Sequence, residues 1–228
     1  KITDISSTSL TNLTQAFQKN AMFHTSIDFN NTWEVVNNIL EHCPNLSDIS
    51  SAFNYINMQP FPSGVGLKLN HDNIVSASYT FSNSNVNRIL SFNMPNLINA
   101  SRMFNRPSEM FNDPSYDFDN TWDVIYDGIN NSNIQNIDYI CANCVMKAPT
   151  NNVWQLELPS VTSSFYAFYS YYGVDSRSTN LYVYLDKLNM PLCRNASNMF
   201  YNADLYYAKN ISAPKCTNMS KMFDGVRV

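Results

Sequence analysis

Two cysteine pairs have a spacing that could support chemistry. Cys141 and Cys144 form a CANC sequence, the spacing of half a zinc site or of a redox pair. No second CxxC or CxxH follows it, so we interpret both residues as buried thiols. Cys193 and Cys216 stand in the same place of two similar phrases, and a disulfide between them is conceivable. Side chains stacked in one column point in parallel, and the odd count of five cysteines makes no disulfide framework, so we expect reduced thiols.

The acidic residues and histidines give no clear indication of a metal site or a catalytic site. The segment DFDNTWD brings Asp117, Asp119 and Asp123 together, which could suit calcium. It lacks the central Gly and closing Glu of a calcium loop, and helix capping explains the acids as well. The three histidines stand apart, and the five glycines form no phosphate-binding loop. We therefore predict no catalytic residue, no metal and no cofactor.

Composition narrows the range of partners. The net charge is −4, with 14 Lys and Arg against 18 Asp and Glu, which argues against nucleic acid as a partner. Only 14% of residues are charged, so the surface must consist mostly of neutral polar groups. The segment contains no run of apolar residues long enough to span a membrane. It begins without Met and stops at DGVRV, so we expect a piece of a longer chain.

One phrase recurs along the chain. LDKLNMPLCRNASNMF at 185–200 is followed by KNISAPKCTNMSKMF at 209–223. The closing residue of the phrase, which we call the anchor, has equivalents throughout: Phe17, Phe53, Phe81, Phe104, Cys141, Phe168, Phe200 and Phe223. Seven residues earlier each unit has an apolar residue, and five residues earlier it has Asn, Asp or Ser. Because those short polar residues cap helices, the pattern predicts a capped helical turn in every unit.

A short strand is predicted before each turn. VWQLELP at 153–159 and LDKLNMP at 185–191 share an LxxLxLP pattern, with Pro ending the strand. Two longer units carry an inserted helix with an apolar stripe, Trp33, Val36 and Leu40 in one and Trp122, Ile125 and Ile129 in the other. The fold class predicted is α/β: a leucine-rich-repeat solenoid of about eight coils, made of short parallel strands and short capped helical turns, in a single domain over residues 1–228.

These motifs resemble the BspA-like leucine-rich repeats of bacterial surface proteins. LELPSVTSSFYAF at 156–168 is similar to one such unit, and NASNMF and NMSKMF resemble the Met-Phe variety found in envelope and host-facing phage proteins. The resemblance covers nearly the whole chain, although Cys141 replaces the anchor Phe. It implies a curved solenoid used for adhesion or recognition, without a catalytic residue. It also implies an extracellular location, on a bacterial cell surface or virion.

Candidate ligand-binding residues follow from the strand pattern. Eleven residues before each anchor the side chain is polar, as in Asn93, Glu157 and Asn189. Neighbouring outward positions mix one aromatic residue with both charge signs: Trp154, Gln155, Asp186, Lys187, Lys209 and Asn210. The segment FYAFYSYYGVD adds Tyr169, Tyr171 and Tyr172, which could stack on sugars or grip a protein, or could simply edge the core.

Two function classes fit this pattern. The first is a recognition or adhesion module on a bacterial envelope or phage tail, binding a host protein or glycan. The second is a structural component of a virion or surface assembly that packs against other subunits. An enzyme acting on polysaccharides ranks third, because no carboxylate pair stands out from the capping residues.

Overall fold

The computed structural model describes residues 2, 4–18, 29–59, 61–86, 88–106, 123–130, 133–146, 153–169, 172–173 and 183–226. These residues form short strands and two helices: β1 Phe29–Thr32, α1 Glu34–His42, β2 Met58–Gln59, β3 Leu67–Asn70, β4 Ile89–Asn93, α2 Asp123–Ile129, β5 Val145–Met146, β6 Val153–Glu157, β7 Tyr172–Gly173, β8 Val183–Asn189, β9 Leu205–Ala208 and β10 Ile211–Ser212.

The strands pair in parallel within four separate sheets. β1 pairs with β2, β3 with β4, and β5 with β7. The largest sheet has four strands, in which β8 pairs with β6 on one side and with β9 and β10 on the other. Parallel pairing of strands so far apart in sequence requires long connections, and these contain the turns described below.

The predicted fold class is wrong. In place of an α/β leucine-rich-repeat solenoid of about eight coils, the described strands divide into sheets of two, two, two and four strands, and the described residues contain only two helices. The predicted capped helical turns are not helices. In each of them the residue two positions before the anchor has a left-handed backbone, with φ between 53° and 59° from Gln15 to Lys221. A right-handed helix cannot continue through such a residue.

What recurs is a row of single parallel bridges between the short polar residues of successive units. The row, here called the bridge ladder, runs through Asn12, Asp48, Ser76, Asn99, Asn136, Ser163, Asn195 and Asn218. The predicted caps act as Asx turns, in which the side chain accepts from the N–H two residues on: Asn12 from Thr14 at 2.7 Å and Asp48 from Ser50 at 2.8 Å. After each bridge residue, every second backbone N–H donates to a carbonyl of the neighbouring unit. The Phe200 N–H, for example, donates to the Met222 carbonyl at 2.9 Å.

The anchors form the centre of the core. Phe17, Phe53, Phe81 and Phe104 stack face to face, with ring centroids 5.3, 5.7 and 6.0 Å apart. Phe168, Phe200 and Phe223 form a second stack at 5.4 and 5.6 Å. Cys141, fully buried, stands at the anchor position between the two stacks. The predicted alignment of the anchors is confirmed within each stack.

Aromatic residues of the strands and beside the helices pack against the anchor rings. Trp33, just before α1, packs edge-on against Phe81 at 6.0 Å, and Phe92 of β4 packs against Phe104 at 6.1 Å. The predicted stripe of Trp33, Val36 and Leu40 is buried. Gly128 in α2 lies against the Phe92 ring, and an added Cβ would stand 2.2 Å from a ring carbon, so only glycine fits there.

We expect Phe200→Ala to be strongly destabilising, because its ring is fully buried and is stacked on both sides. Truncating such a residue costs about 3–5 kcal/mol of unfolding free energy. Phe223→Ala is the matched control: this half-buried ring stacks on Phe200 alone among the described residues, so its loss is smaller. Denaturant titration of both variants measures the difference, and equal losses would contradict the stacked core.

Candidate functional site

The outward side of the four-stranded sheet gathers most of the predicted binding residues. We call Gln155, Glu157, Asp186, Lys187, Asn189, Lys209 and Asn210 the sheet face. Glu157 pairs in register with Asn189, and Asn189 with Ser212, so the predicted polar column exists in this sheet. Gln155 and Lys187 lie opposite each other and are exposed. The sheet brings these side chains together because alternate strand residues point to the same side.

Trp154 does not belong to this surface, and its predicted outward position is wrong. Its side chain is 1% exposed and packs on Phe168 and Phe200, at 5.6 and 6.2 Å between ring centroids. The reason is strand alternation: Trp154 and Leu156 stand two residues apart in β6 and both are buried, so they lie on the same, inward side. Trp154 pairs with Leu185 and Gln155 pairs with Lys187, so Asp186 is an extra residue of β8.

The two cations of the sheet face are neutralised within it. Lys187 forms an ion pair with Glu157, whose other oxygen accepts from Asn189 Nδ2 at 2.9 Å. These two hydrogen bonds lower the pKa of Glu157. Lys209 Nζ lies 2.6 Å from Asp186, and this hydrogen bond raises the pKa of Lys209. A surface whose charges are paired internally suits neutral polar ligands better than phosphates.

Asn130 and Tyr126, which are not among the predicted ligand-binding residues, support the sheet face. Asn130 Oδ1 accepts from the Glu157 backbone N–H at 2.6 Å, and Tyr126 of α2 donates its hydroxyl to the Gln155 carbonyl at 2.5 Å. Burial, followed by the nearby Glu157 carboxylate, raises the pKa of Tyr126, which keeps this phenol a donor. Asn130 belongs to the predicted polar column, but nothing in the local sequence connects Tyr126 to a strand about thirty residues later.

Tyr206 and Tyr207 were also missed as site residues. Both side chains are exposed, and Tyr207 lies under Lys209 Nζ at 5.2 Å from its ring centroid. Its hydroxyl donates to Asp186 at 3.4 Å. The strand pattern began at Lys209 and therefore excluded them, although the apolar Leu205 directly before them signals a strand. Asn210 joins the same group by donating from Nδ2 to the Asp186 carbonyl at 3.0 Å.

The other predicted binding residues lie elsewhere. Asn93 is exposed at the end of β4, in a two-stranded sheet with Asn70 as its partner. Tyr169 is the last residue of the turn that follows Ser163 of the bridge ladder, and it is half-buried. Its ring stacks on that of Tyr201 at 5.6 Å between centroids, so one face of the Tyr169 ring is occupied. Tyr171 lies outside the described residues. The backbone of Tyr172 pairs with Val145, and its side chain lies outside the described part of the structure.

A row of rings runs along the turns of the bridge ladder. The Arg102 guanidinium stands 5.2 Å from the Tyr79 ring centroid and 4.2 Å from that of Tyr139. Tyr139 in turn stacks on Tyr166 at 4.9 Å with an interplanar angle of 5°. Because these faces cover one another, the row offers mainly ring edges to a ligand, and we attribute it to packing between units.

The surroundings of the cysteines and of His71 disfavour redox reactions and metal binding. All five cysteines are free thiols, and all but Cys216 are buried. Burial and the neighbouring Cys144 thiol raise the pKa of Cys141, which disfavours the thiolate needed for redox or metal chemistry. The buried His71 ring contacts the Cys43 carbonyl through Nε2 at 3.1 Å and accepts from the Asn73 N–H at 3.2 Å, so both nitrogens are used.

The structure describes only one of the three acidic residues that the sequence analysis considered as calcium ligands. Asp117 and Asp119 lie outside the described residues, and Asp123 begins α2. Within the described part of the chain, no three His, Cys, Asp or Glu residues come close enough to hold a metal ion.

Comparison with known proteins adds no relative. The chain matches no protein-family model, and neither the curated proteins nor the solved structures gave a match. The similarity to BspA-like repeats therefore stays a prediction. Neither of the helices in the described ranges has the length and apolar character needed to cross a bilayer.

We expect Glu157→Gln to weaken the fold slightly at neutral pH and to have no effect in acid. Because the folded pKa of Glu157 lies below its ordinary value of 4.5, its stabilisation is present above that pH and is lost as pH falls through the lowered pKa. Partly exposed ion pairs contribute about 0.2–1 kcal/mol. Denaturant titrations at several pH values measure this, with Glu41→Gln, an exposed residue without an ion pair in the described structure, as control. A pH-independent difference would contradict the pairing.

Thiol labelling in dilute solution should distinguish Cys216 from the others. Cys216 is half-buried and the other four are buried. We expect a maleimide to modify Cys216 first, and Cys43, Cys141, Cys144 and Cys193 only after denaturation. Mass spectrometry of labelled peptides reads out the order, and early modification of Cys141 or Cys144 would disprove their burial.

Proposed function

We propose that this chain is a non-enzymatic recognition module that binds a host protein or a glycan through its sheet face, on the outside of a bacterial cell or a virion. The observation that carries this proposal is the sheet face itself. It presents exposed amide and ammonium groups on adjacent strands, with its charges paired to one another. Such a row can exchange hydrogen bonds with sugar hydroxyls or with a peptide backbone.

The electrostatics support a neutral polar ligand. Lys187 and Lys209 are held by Glu157 and Asp186, so a phosphate would have to compete with carboxylates already in place. Tyr207, on the same sheet, adds an exposed aromatic side chain next to the polar groups. Aromatic rings beside amides are typical of surfaces that bind sugars and proteins.

A structural role in an assembly is the second candidate. It is favoured by exposed apolar side chains on two neighbouring inner units, Val75 at 42% and Ile98 at 40% exposure, where the Ile98 N–H donates to the Val75 carbonyl at 2.9 Å. Contiguous exposed apolar groups mark protein contacts. The sheet face would then be one of several packing surfaces.

A double substitution, Gln155→Ala with Lys187→Ala, tests the recognition proposal. Both side chains are exposed, so the fold should survive, and we expect the apparent dissociation constant on a glycan array or in a cell-binding assay to rise at least about tenfold. Lys68→Ala with Asn70→Ala is the matched control, since these exposed residues lie on β3 of another sheet. Trp154→Ala is unsuitable because it removes a buried ring.

The outcomes separate the candidates. Binding that is lost in the sheet-face variant and kept in the control supports recognition by this surface. Unchanged binding by both variants, or no binding of the unmodified chain to any glycan or cell surface, would overturn it.

A further inference from the structure

We propose that an open cleft between the second and third units binds an organic ammonium group, carried by a lysine side chain or by an aliphatic amine. The cleft has a volume of about 400 Å³. Its lining includes Glu41 and Pro44 of the second unit and Asn70, His71 and Asp72 of the third. The cleft is separate from the sheet face, and this inference does not require the sheet face to bind a ligand.

Units are in place on both sides of the cleft. On the side of the first unit, the Ser7 N–H donates to the His42 carbonyl at 3.1 Å. On the side of the fourth unit, the His71 N–H donates to the Asn93 carbonyl at 3.0 Å. The cleft therefore belongs to the inner part of the series of units, and its openness does not depend on what precedes or follows the sequence.

The cleft forms because a helix stands where other units have a strand. β3 pairs with β4 on one side. On the other side lies α1, whose Asn37 side chain donates to the Gly66 carbonyl at 3.0 Å and accepts from the Lys68 N–H at 2.8 Å. Further along, α1 ends at His42 and β3 ends at Asn70, and the lining residues of the cleft lie at these two ends.

The two carboxylates of the cleft depart from the repeat. Glu41 stands twelve residues before its anchor and is exposed. At that position other units have a buried apolar residue: Leu69, Phe92, Ile129, Leu156 and Leu188. Asp72, also exposed, stands nine residues before its anchor, a position at which five other units have Pro. The repeat therefore predicts neither acid, and such local departures are typical of functional sites.

The cleft presents acceptors without donors. The Glu41 and Asp72 carboxylates form no hydrogen bond and no ion pair with the described residues. The Leu40 carbonyl is a further acceptor, because its helical donor would be Pro44, which has no N–H. The last turn of α1 also carries the negative end of the helix dipole.

No positive charge of the described residues balances these acceptors. Neither Lys nor Arg lines the cleft within the described part of the chain. The His71 ring accepts from the Asn73 N–H through Nδ1 at 3.2 Å, so in this arrangement it is the neutral form. The cleft is therefore negative, and it complements a cation.

This arrangement favours an ammonium group over a metal ion. A divalent metal needs several ligands around one point, and within the described residues no three His, Cys, Asp or Glu side chains come close enough to hold one. An ammonium group has three N–H donors, which separate acceptors can share. Its aliphatic stem can cover the apolar Leu40 and Pro44, as lysine stems do on protein surfaces. The volume lies near the lower limit of about 300 Å³ for small-molecule sites, which suits a single alkyl chain.

Titration of an isotope-labelled chain with pentylamine, followed by NMR, tests the proposal. Pentanol is the control ligand, because it has the same alkyl chain without the charge. We expect pentylamine to shift the backbone amide signals of His71 and Asn73 and pentanol to leave them in place. Added salt should weaken the binding, because charges in an open cleft are screened.

Glu41→Gln with Asp72→Asn removes both carboxylates and keeps their size. We expect the dissociation constant for pentylamine to rise at least about tenfold. Glu34→Gln with Asp127→Asn is the matched control, because these exposed acids lie outside the cleft and their loss changes the net charge equally. Glu41→Lys is a second test, since it places an ammonium group of the chain itself in the cleft and should abolish binding. Circular dichroism confirms that these exposed substitutions leave the fold intact.

Two further ligands identify the source of the ammonium group. Nα-acetyl-lysine amide represents a lysine side chain of a partner protein, and cadaverine represents a free aliphatic amine. Tighter binding of either one supports the proposal and assigns that source.

Four results would overturn the inference. They are no binding of pentylamine, equal binding of pentanol, an equal loss of binding in the cleft variant and its control, and tighter binding of calcium or magnesium than of pentylamine at the cleft. Gln155→Ala with Lys187→Ala should leave pentylamine binding unchanged, so this inference and the proposed function fail separately. Lys68→Ala with Asn70→Ala keeps both carboxylates of the cleft.

Discussion

The structure depends on backbone hydrogen bonds that each unit makes to its neighbours instead of to itself. Alternate residues of a turn bond internally, as Ala16 does to Leu13, while those between them donate to the next unit, as Gln15 does to Ser50. A turn of this kind satisfies only about half of its N–H groups alone, and buried unpaired groups are costly. Neighbouring units are therefore necessary to one another, and the stacked anchors exclude water from the bonds between them.

This constraint explains both the core and its irregularities. The spacing between neighbouring units is short enough for Phe rings to stack face to face, and Cys141 interrupts the stack without exposing it. The register of the strands is less regular. Between the pairs Trp154–Leu185 and Gln155–Lys187, β8 contains one residue more than β6. That single extra residue lets Leu185 and Leu188, three residues apart, both face the core, and Asp186 between them meets Lys209.

The same dependence on neighbours shapes the surface of the four-stranded sheet. Along the sheet face, hydrogen bonds and ion pairs between side chains are satisfied within the molecule, and what remains is a polar, charge-balanced surface. Such a surface favours selective, reversible contacts with a polar partner.

The sequence by itself determined the spacing of the units, the anchor positions, the Asx residues of the bridge ladder and the polar column of Glu157, Asn189 and Ser212. Each depends on residue type at a fixed interval, which local chemistry dictates. Only the tertiary structure decided that each turn contains a residue with a left-handed backbone and is not helical, that the strands divide into four sheets, and that Trp154 faces the core. Those outcomes depend on hydrogen bonds and register between residues about twenty or more positions apart, and such long-range contacts leave no periodic signal in a single chain.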